Sequence, residues 1–233
     1  MRILLIVPTL NEEKSVEKLI NKLKFLIKKT TILFVDDKST DNTRLKIKEF
    51  KKKYKNIKYL FRNKNPGIGA SIKDGYKYAI EKKFDICITM DADGTHNPKK
   101  ISLMINIIKS GKYDIISTNR FFIKSSTKKW PLSRLLLTKI RYYLVSFLLN
   151  TKIDSSGNFR CFNLNKIKKK HLLLSKNNSY FFLIESFYYL ERLKYKILEI
   201  PIVLNPRVFD SSKMKFKHVL LSFFNLIKLF LKY

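Results

Sequence analysis

Two hydrophobic periods alternate along the first half of the chain. Ile3 to Val7 is a short apolar run that reads as a strand, and Val16, Leu19, Ile20, Leu23 and Ile27 then recur at the i, i+3, i+4, i+7 spacing of an amphipathic helix. Thr31 to Val35 is a second strand that ends in Asp36 and Asp37, and the polar turn Lys38 to Asn42 supplies N-cap residues for the next helix. Ile57 to Phe61, Asp85 to Met90 and Tyr113 to Ser117 read as further strands, with helices at Gly67 to Lys82 and Pro98 to Lys109 between them. This alternation predicts an α/β fold with a mostly parallel, doubly wound sheet.

After Asn119 the pattern changes. Leu132 to Leu149 is a long apolar helix with Arg134, Thr138 and Arg141 near one side, and Phe216 to Tyr233 is another, with a narrow polar stripe of Ser222, Asn225, Lys228 and Lys232. Both are too apolar for the outer face of a small protein. Core helices, a dimer interface and helices lying in a lipid headgroup layer all fit this pattern; Lys213, Lys215 and Lys217, leading into the last helix, favour the membrane surface. The expected organisation is one domain over residues 1–215, including an interfacial helix at 132–149, followed by a C-terminal amphipathic helix at 216–233.

In open α/β sheets, ligands bind beyond the carboxyl ends of the strands. The acids of this chain collect there, in Pro8 to Glu13, Asp36 to Asp41 and Asp91 to Asp93. Helix N-capping accounts for Asp41 and for Glu13 but not for Asp91 together with Asp93. The clustering gains weight from the composition, since 49 Lys and Arg face only 18 Asp and Glu for a net charge of +31. Such an excess attracts any polyanion. Only nine of the cations are Arg while Ala occurs three times, which points to a Lys-rich coding bias. No nucleic-acid-reading module is present, so nucleic acid is not an expected partner.

The chain also lacks other signatures. Cys87 and Cys161 form no disulfide framework, and His96, His171 and His218 are too scattered for a zinc site. The start, MRILLIVPTLNEE, does not read as a signal peptide, and no stretch reaches the ~20 apolar residues of a membrane span.

Asp91-Ala92-Asp93 closes the fourth strand. Carboxylates two residues apart in an extended turn can share one divalent cation, whose other ligands would be diphosphate oxygens and water. In Asn65-Pro66-Gly67-Ile68-Gly69-Ala70 a tight turn opens a helix. Its glycines either let backbone N–H groups approach an anion or let the helix pack close to the sheet. It is neither a Walker A loop nor a dinucleotide-binding fingerprint.

Taken in order, VPTLNEE (7 to 13), VDDKSTDNT (35 to 43), RNKNPGIGAS (62 to 71), MDADGTHNP (90 to 98), DSSGNFR (154 to 160) and RVFDSSK (207 to 213) resemble the family 2 glycosyltransferases of GT-A fold. Within them the match is to the dolichol-phosphate or polyprenol-phosphate mannosyltransferase branch, over essentially the whole chain. The resemblance implies a metal-dependent, inverting enzyme that moves a hexose from GDP-mannose or a UDP-hexose to a polyprenyl phosphate, bound peripherally at the cytoplasmic face of a membrane. It places Pro8, Glu12, Val35, Asp37 and Ala92 on the donor, and Arg207, Ser212 and Lys213 on a loop over the donor phosphates. Asp91 and Asp93, with Thr95, would hold Mg²⁺ or Mn²⁺. Arg120, Arg134 and Arg160 would face the acceptor phosphate, and Asp154 joins Asp91 and Asp93 in the catalytic set.

Three positions depart from the family pattern. Thr95 stands where Gln or Ser is usual, Asn158 separates Gly157 from Phe159 where the family goes directly from Gly to Phe, and Asp210 replaces a Gly. The alternatives are a family 2 enzyme acting on a sugar hydroxyl, for which Glu185 would be the base, and a non-catalytic basic scaffold on a membrane or nucleic acid.

Overall fold

Alternation along the central strands sorts their side chains to two faces of one sheet. In β1 (Ile3–Thr9), Ile3, Leu5 and Val7 enter one buried cluster while Leu4 and Ile6 enter the other; β2 (Thr31–Asp37) divides Ile32 and Phe34 from Leu33 and Val35 in the same way. Both faces are apolar because helices cover both. The computed structural model describes residues 1–128, 130–206 and 216–232.

The first face packs against α1 (Glu13–Ile27), Ile47 of α2 (Thr43–Lys53) and α4 (Lys100–Lys109). The second packs against α3 (Ile68–Glu81) and α6 (Phe182–Arg192). The remaining strands are β3 (Ile57–Arg62), β4 (Ile86–Thr89), β5 (Ile115–Asn119), β6 (Arg160–Asn163) and β7 (Ile197–Pro201), and the sheet order is β3-β2-β1-β4-β6-β5-β7. All pairs are parallel except those of β6, which runs antiparallel between β4 and β5.

The reversed strand positions the site. Because β6 is antiparallel, its first residue, Arg160, pairs with Thr89, the last residue of β4. Residues 154–159 therefore arrive at the same sheet edge as Asp91. Neither β6 nor β7 is apparent in the sequence pattern: β6 has four residues and is polar at both ends, and β7 holds a Glu within a short run.

The helix α5 (Leu132–Leu149) matches its predicted span, and α7 covers Phe216–Leu231. A third apolar cluster joins Val145 and Leu149 of α5, Phe181, Ile184 and Tyr188 at α6, and Leu226 and Leu229 of α7. The last helix is thus seated on the domain by one stripe. Many other apolar side chains of the two helices face outward: Leu132 is 78% exposed, Phe147 84% and Leu231 75%. Among the described residues no helix is long and apolar enough to cross a membrane.

Candidate active site

Hydrogen bonds stitch the loops after β1 and β2 into one wall. The Asn11 N–H donates to Ser39 Oγ (2.8 Å), the Thr40 N–H to Asn11 Oδ1 (2.8 Å), and the Glu12 N–H to Thr43 Oγ1 (2.8 Å). Asn11 makes this possible by adopting a left-handed φ of 53°. Asp36 is fully buried and accepts from Thr9 Oγ1 (3.1 Å), the Ser39 N–H (3.1 Å), the Ser39 hydroxyl and Arg44 Nε (2.5 Å). It is the anchor of the loop. Asp37 accepts from the Gly67 N–H (2.6 Å) and from the Arg62 guanidinium, which also holds Asp74 through Nε (2.8 Å).

Of the expected donor residues, Pro8 and Val35 are register partners on adjacent strands, and Glu12 and Asp37 lie on the loops just described. Val35 points its side chain into the core on the α3 side. Ala92 is buried below the carboxylate turn. Arg207, Ser212 and Lys213 lie outside the described residues.

The Gly67-Ile68-Gly69 turn serves packing rather than an open anion nest. A Cβ on Gly67, whose φ is 138°, would lie 2.1 Å from the Asn178 carbonyl oxygen, and one on Gly69 would lie 2.4 Å from Phe182 Cβ. The Asn178 carbonyl accepts the Gly69 N–H (2.9 Å) and Asp37 takes that of Gly67, so amides of this helix terminus are already bonded within the chain. Close packing is thus what the glycines provide, against the 178–182 segment rather than the sheet alone.

Beyond β4, Asp91 is oriented by two residues that sequence reasoning did not place in the site. Asn158 Nδ2 donates to Asp91 Oδ1 (2.8 Å), and the Asp91 N–H donates to His96 Nδ1 (3.3 Å). His96 stacks on Phe159 at 5.0 Å, and its Nε2, which must carry the ring proton, sits 3.9 Å from Asp91 Oδ2. The additional residue Asn158 is therefore the one that positions Asp91. Asp93 accepts from the Thr95 N–H (3.0 Å) and from Thr95 Oγ1 (2.7 Å). Thr95 thus orients Asp93, the carboxylate with which it is expected to hold the cation.

The side where the acceptor is expected centres on Asp154, which is 1% exposed. Arg120 Nε donates to its Oδ2 (2.6 Å) and Ser156 Oγ to its Oδ1 (3.0 Å), while its own N–H donates to Glu199 Oε1 (2.9 Å). Burial alone would raise the Asp154 carboxyl, but the Arg120 guanidinium reverses this and holds it below the ordinary aspartate value. Both oxygens are engaged within the chain, Oδ2 by Arg120 and Oδ1 by Ser156. Burial pushes the neighbouring Glu199 carboxyl up.

Arg160 departs from the expectation of a residue facing the acceptor. It is 2% exposed, Nη2 donates to the carbonyls of Ser155 (2.5 Å) and Leu183 (2.9 Å), and the guanidinium lies 4.1 Å over the Phe187 ring. The physical reason is strand alternation: Arg160 shares the face of Phe162, which lies in the cluster under α3 and α6, so its side chain enters the core against α6. Arg134 does lie on the surface, with its guanidinium 3.9 Å from the Trp130 ring centroid. Glu185 accepts from the Ser175 hydroxyl and from Tyr189 Oη (3.2 Å), both outside the loops that carry Asp91.

Residues 4–172 match the family described as Glycosyl transferase family 2. The chain belongs to that family. The undecaprenyl-phosphate mannosyltransferase of Micrococcus luteus is 25% identical over 215 residues, covering 92% of this chain and 88% of that protein. The polyprenol monophosphomannose synthase of Mycolicibacterium smegmatis is 26% identical, covering 91% and 81%. The glucosyl-3-phosphoglycerate synthase of Mycobacterium tuberculosis, solved with Mn²⁺, UDP and glucosyl-3-phosphoglycerate, shares the fold with a TM-score of 0.67 at 15% identity, covering 97% of this chain and 77% of that one. The GT-A architecture expected of a family 2 glycosyltransferase is thus the one observed.

The donor set suits the cation that this family implies. Asp91 and Asp93 offer hard carboxylate oxygens, Asp91 is one-third exposed, and no cluster of three or more acidic, His or Cys ligands exists among the described residues. Two carboxylates leave coordination positions for phosphate oxygens and water, as Mg²⁺ and Mn²⁺ require.

Proposed function

We propose that this glycosyltransferase transfers a hexose, with inversion, from a nucleoside diphosphate sugar to a polyprenyl phosphate. The observation that carries this reading is the composition of the expected acceptor side: Arg120 bonded to a carboxylate, Asp154, whose oxygens both accept hydrogen bonds within the chain, with a second arginine, Arg134, on the surface of α5. A sugar hydroxyl needs a base to take its proton, whereas a phosphate is already ionised at neutral pH and needs cations to hold it. The names of the two sequence relatives support the same acceptor class.

In this reading Glu12 and Asp37 hold the nucleoside, with Asp37 kept in place by Arg62 and Gly67. Asp91 and Asp93 hold Mg²⁺ or Mn²⁺, which when bound supplies positive charge to the departing diphosphate. Asn158 and Thr95 fix the two carboxylates, and Arg120 and Arg134 bring the acceptor oxygen to the sugar. GDP-mannose is the leading donor and UDP-glucose the second. The outward apolar sides of α5 and α7, with Lys139, Lys217 and Lys228 on the same helices, fit peripheral binding to the cytoplasmic face of an anionic membrane.

Radiolabelled GDP-mannose and UDP-glucose, each supplied with a short-chain polyprenyl phosphate and scored by extraction into organic solvent, test the proposal. Metal-dependent label in the lipid phase is expected. Transfer only to a sugar hydroxyl, with the polyprenyl phosphate untouched, would overturn it.

A further inference from the structure

We propose that Arg141 completes a three-arginine cradle, with Arg120 and Arg134, for the phosphate monoester of the acceptor, held in position by the Asp154–Ser156 pair. The inference rests on the acceptor reading above and adds a residue that the motif resemblance does not assign.

The geometry begins with helix spacing. Arg134 and Arg141 are seven residues apart in α5, two turns on one face, about 10 Å along the axis. Arg141 Nη2 donates to Ser156 Oγ at 3.0 Å, Ser156 Oγ donates to Asp154 Oδ1 at 3.0 Å, and the other Asp154 oxygen accepts from Arg120 Nε at 2.6 Å. One buried carboxylate therefore places two guanidinium groups on either side of itself, Arg141 through a hydroxyl and Arg120 directly. Gly157 contributes by having no side chain, since a Cβ there would lie 3.2 Å from Arg120 Nη2.

Charge then identifies the ligand class. Arg120 and Arg134 both lie close enough to Arg141 to repel its charge, and Asp154 is the carboxylate that opposes them. Burial first and Arg120 second push the Arg141 guanidinium down to about 10, so a positive charge is kept there against local repulsion. Each guanidinium has five N–H donors in a fixed fork. Among the described residues the side chain of Arg141 uses one hydrogen bond, to Ser156, leaving donors for a ligand with several anionic oxygens. A phosphate monoester supplies those oxygens and a charge that two or three arginines can balance. Arg160 plays no part, since its guanidinium is buried in the core with Nη2 bonded to two backbone carbonyls.

The chain carries a single tryptophan, Trp130, and it stacks under Arg134. Its fluorescence is therefore a built-in report of anion arrival, independent of turnover. Full-length protein, Arg141→Gln and Arg141→Lys should be compared in two assays. In the first, acceptor KM is measured with short-chain polyprenyl phosphate at saturating donor. Arg141→Gln should raise it at least tenfold with donor KM changed less than twofold, and Arg141→Lys should fall between. In the second, Trp130 fluorescence is titrated with inorganic phosphate and with the polyprenyl phosphate, and Arg141→Gln should weaken both at least tenfold.

A merely structural role for Arg141 would lower kcat and leave the acceptor affinity and its salt dependence as they were, and that result overturns the cradle. If polyprenyl phosphate is neither bound nor used by the unmodified protein, the acceptor reading fails, and inorganic phosphate then judges the cradle alone. Phosphate binding weakened by Arg141→Gln keeps the anion site, whereas equal or absent binding in both proteins removes it. Should Arg141→Gln fold poorly, Ser156→Ala, which removes only the positioning hydroxyl, is expected to raise acceptor KM severalfold; an unchanged KM counts against the proposal.

Discussion

The two sides of the cleft use charge in opposite ways. On the donor side each buried acid is matched by its own arginine, Asp36 by Arg44 and Asp37 by Arg62, while Asp91 is held by the amide of Asn158. On the acceptor side one acid, Asp154, holds Arg120 directly and Arg141 through Ser156. The first arrangement leaves Asp91 oriented by a neutral group and so available to a cation. The second leaves a surplus of guanidinium donors, which suits an anion. The proposed reaction would call on both, and the antiparallel β6 is what brings the 154–159 loop to the sheet edge of Asp91.

The largest expected effect breaks the donor side. Asp91→Asn keeps the shape and removes one of two metal-binding carboxylates, so it should lose several kcal/mol of transition-state stabilisation, at least about a hundredfold in kcat. Chelator should act alike on the unmodified enzyme. Full turnover by the variant in chelator would remove Asp91 from the site.

Arg134→Ala breaks the acceptor side. Loss of a hydrogen bond between charged groups is worth about 1.5–3 kcal/mol, or roughly ten- to a hundredfold in kcat/KM for the acceptor. The donor KM should hold, and varied-acceptor kinetics separate the two. Arg120→Ala is a less clean test, because it also strands the Asp154 charge in the core.

The close approach beneath the donor wall gives the next effect. A methyl group on Gly67 would meet the Asn178 carbonyl oxygen at 2.1 Å in a backbone conformation that L-residues avoid. Gly67→Ala should lower stability by about 1–3 kcal/mol, read as a shifted denaturant midpoint. An unchanged midpoint would return the turn to the open, anion-facing alternative.

A smaller effect separates Asp154 from Glu199 by pH. Asp154 titrates below its unfolded value of 3.8, so its contribution is present above that pH and disappears as pH falls through the folded value. Glu199 titrates above 4.5 and acts in reverse: its contribution is present below that value and lost as pH rises through the folded one. Asp154→Asn should therefore flatten the acid limb of the stability curve below pH 3.8. An acid limb as steep as that of the unmodified protein would show that the pairing with Arg120 is not what depresses it.

Glu185→Gln should do least. Its carboxylate meets two hydroxyls, and a change of under about 1 kcal/mol in stability with turnover retained is expected. A thousandfold loss of kcat with normal donor binding would instead reinstate Glu185 as a base and a hydroxyl as acceptor.

The sequence by itself determined the parallel half of the fold and the carboxylates at its strand ends. Those features are local: a strand buried on both faces is an apolar run, an amphipathic helix has a period, and a loop after a strand is placed by the strand. The span Leu132–Leu149 was legible for the same reason, since one face repeats over five turns. What tertiary structure decided was which arginine faces which way. Arg160 follows a motif yet enters the core because it alternates onto the β6 face that α6 covers, while Arg141 of α5 meets Ser156 of the loop before β6. Four residues of β6 carry too little periodicity to announce a strand, and pairing partners far apart in the chain leave no trace in local spacing. For the same reason Asn158 read as an insertion until the sheet placed it 2.8 Å from Asp91.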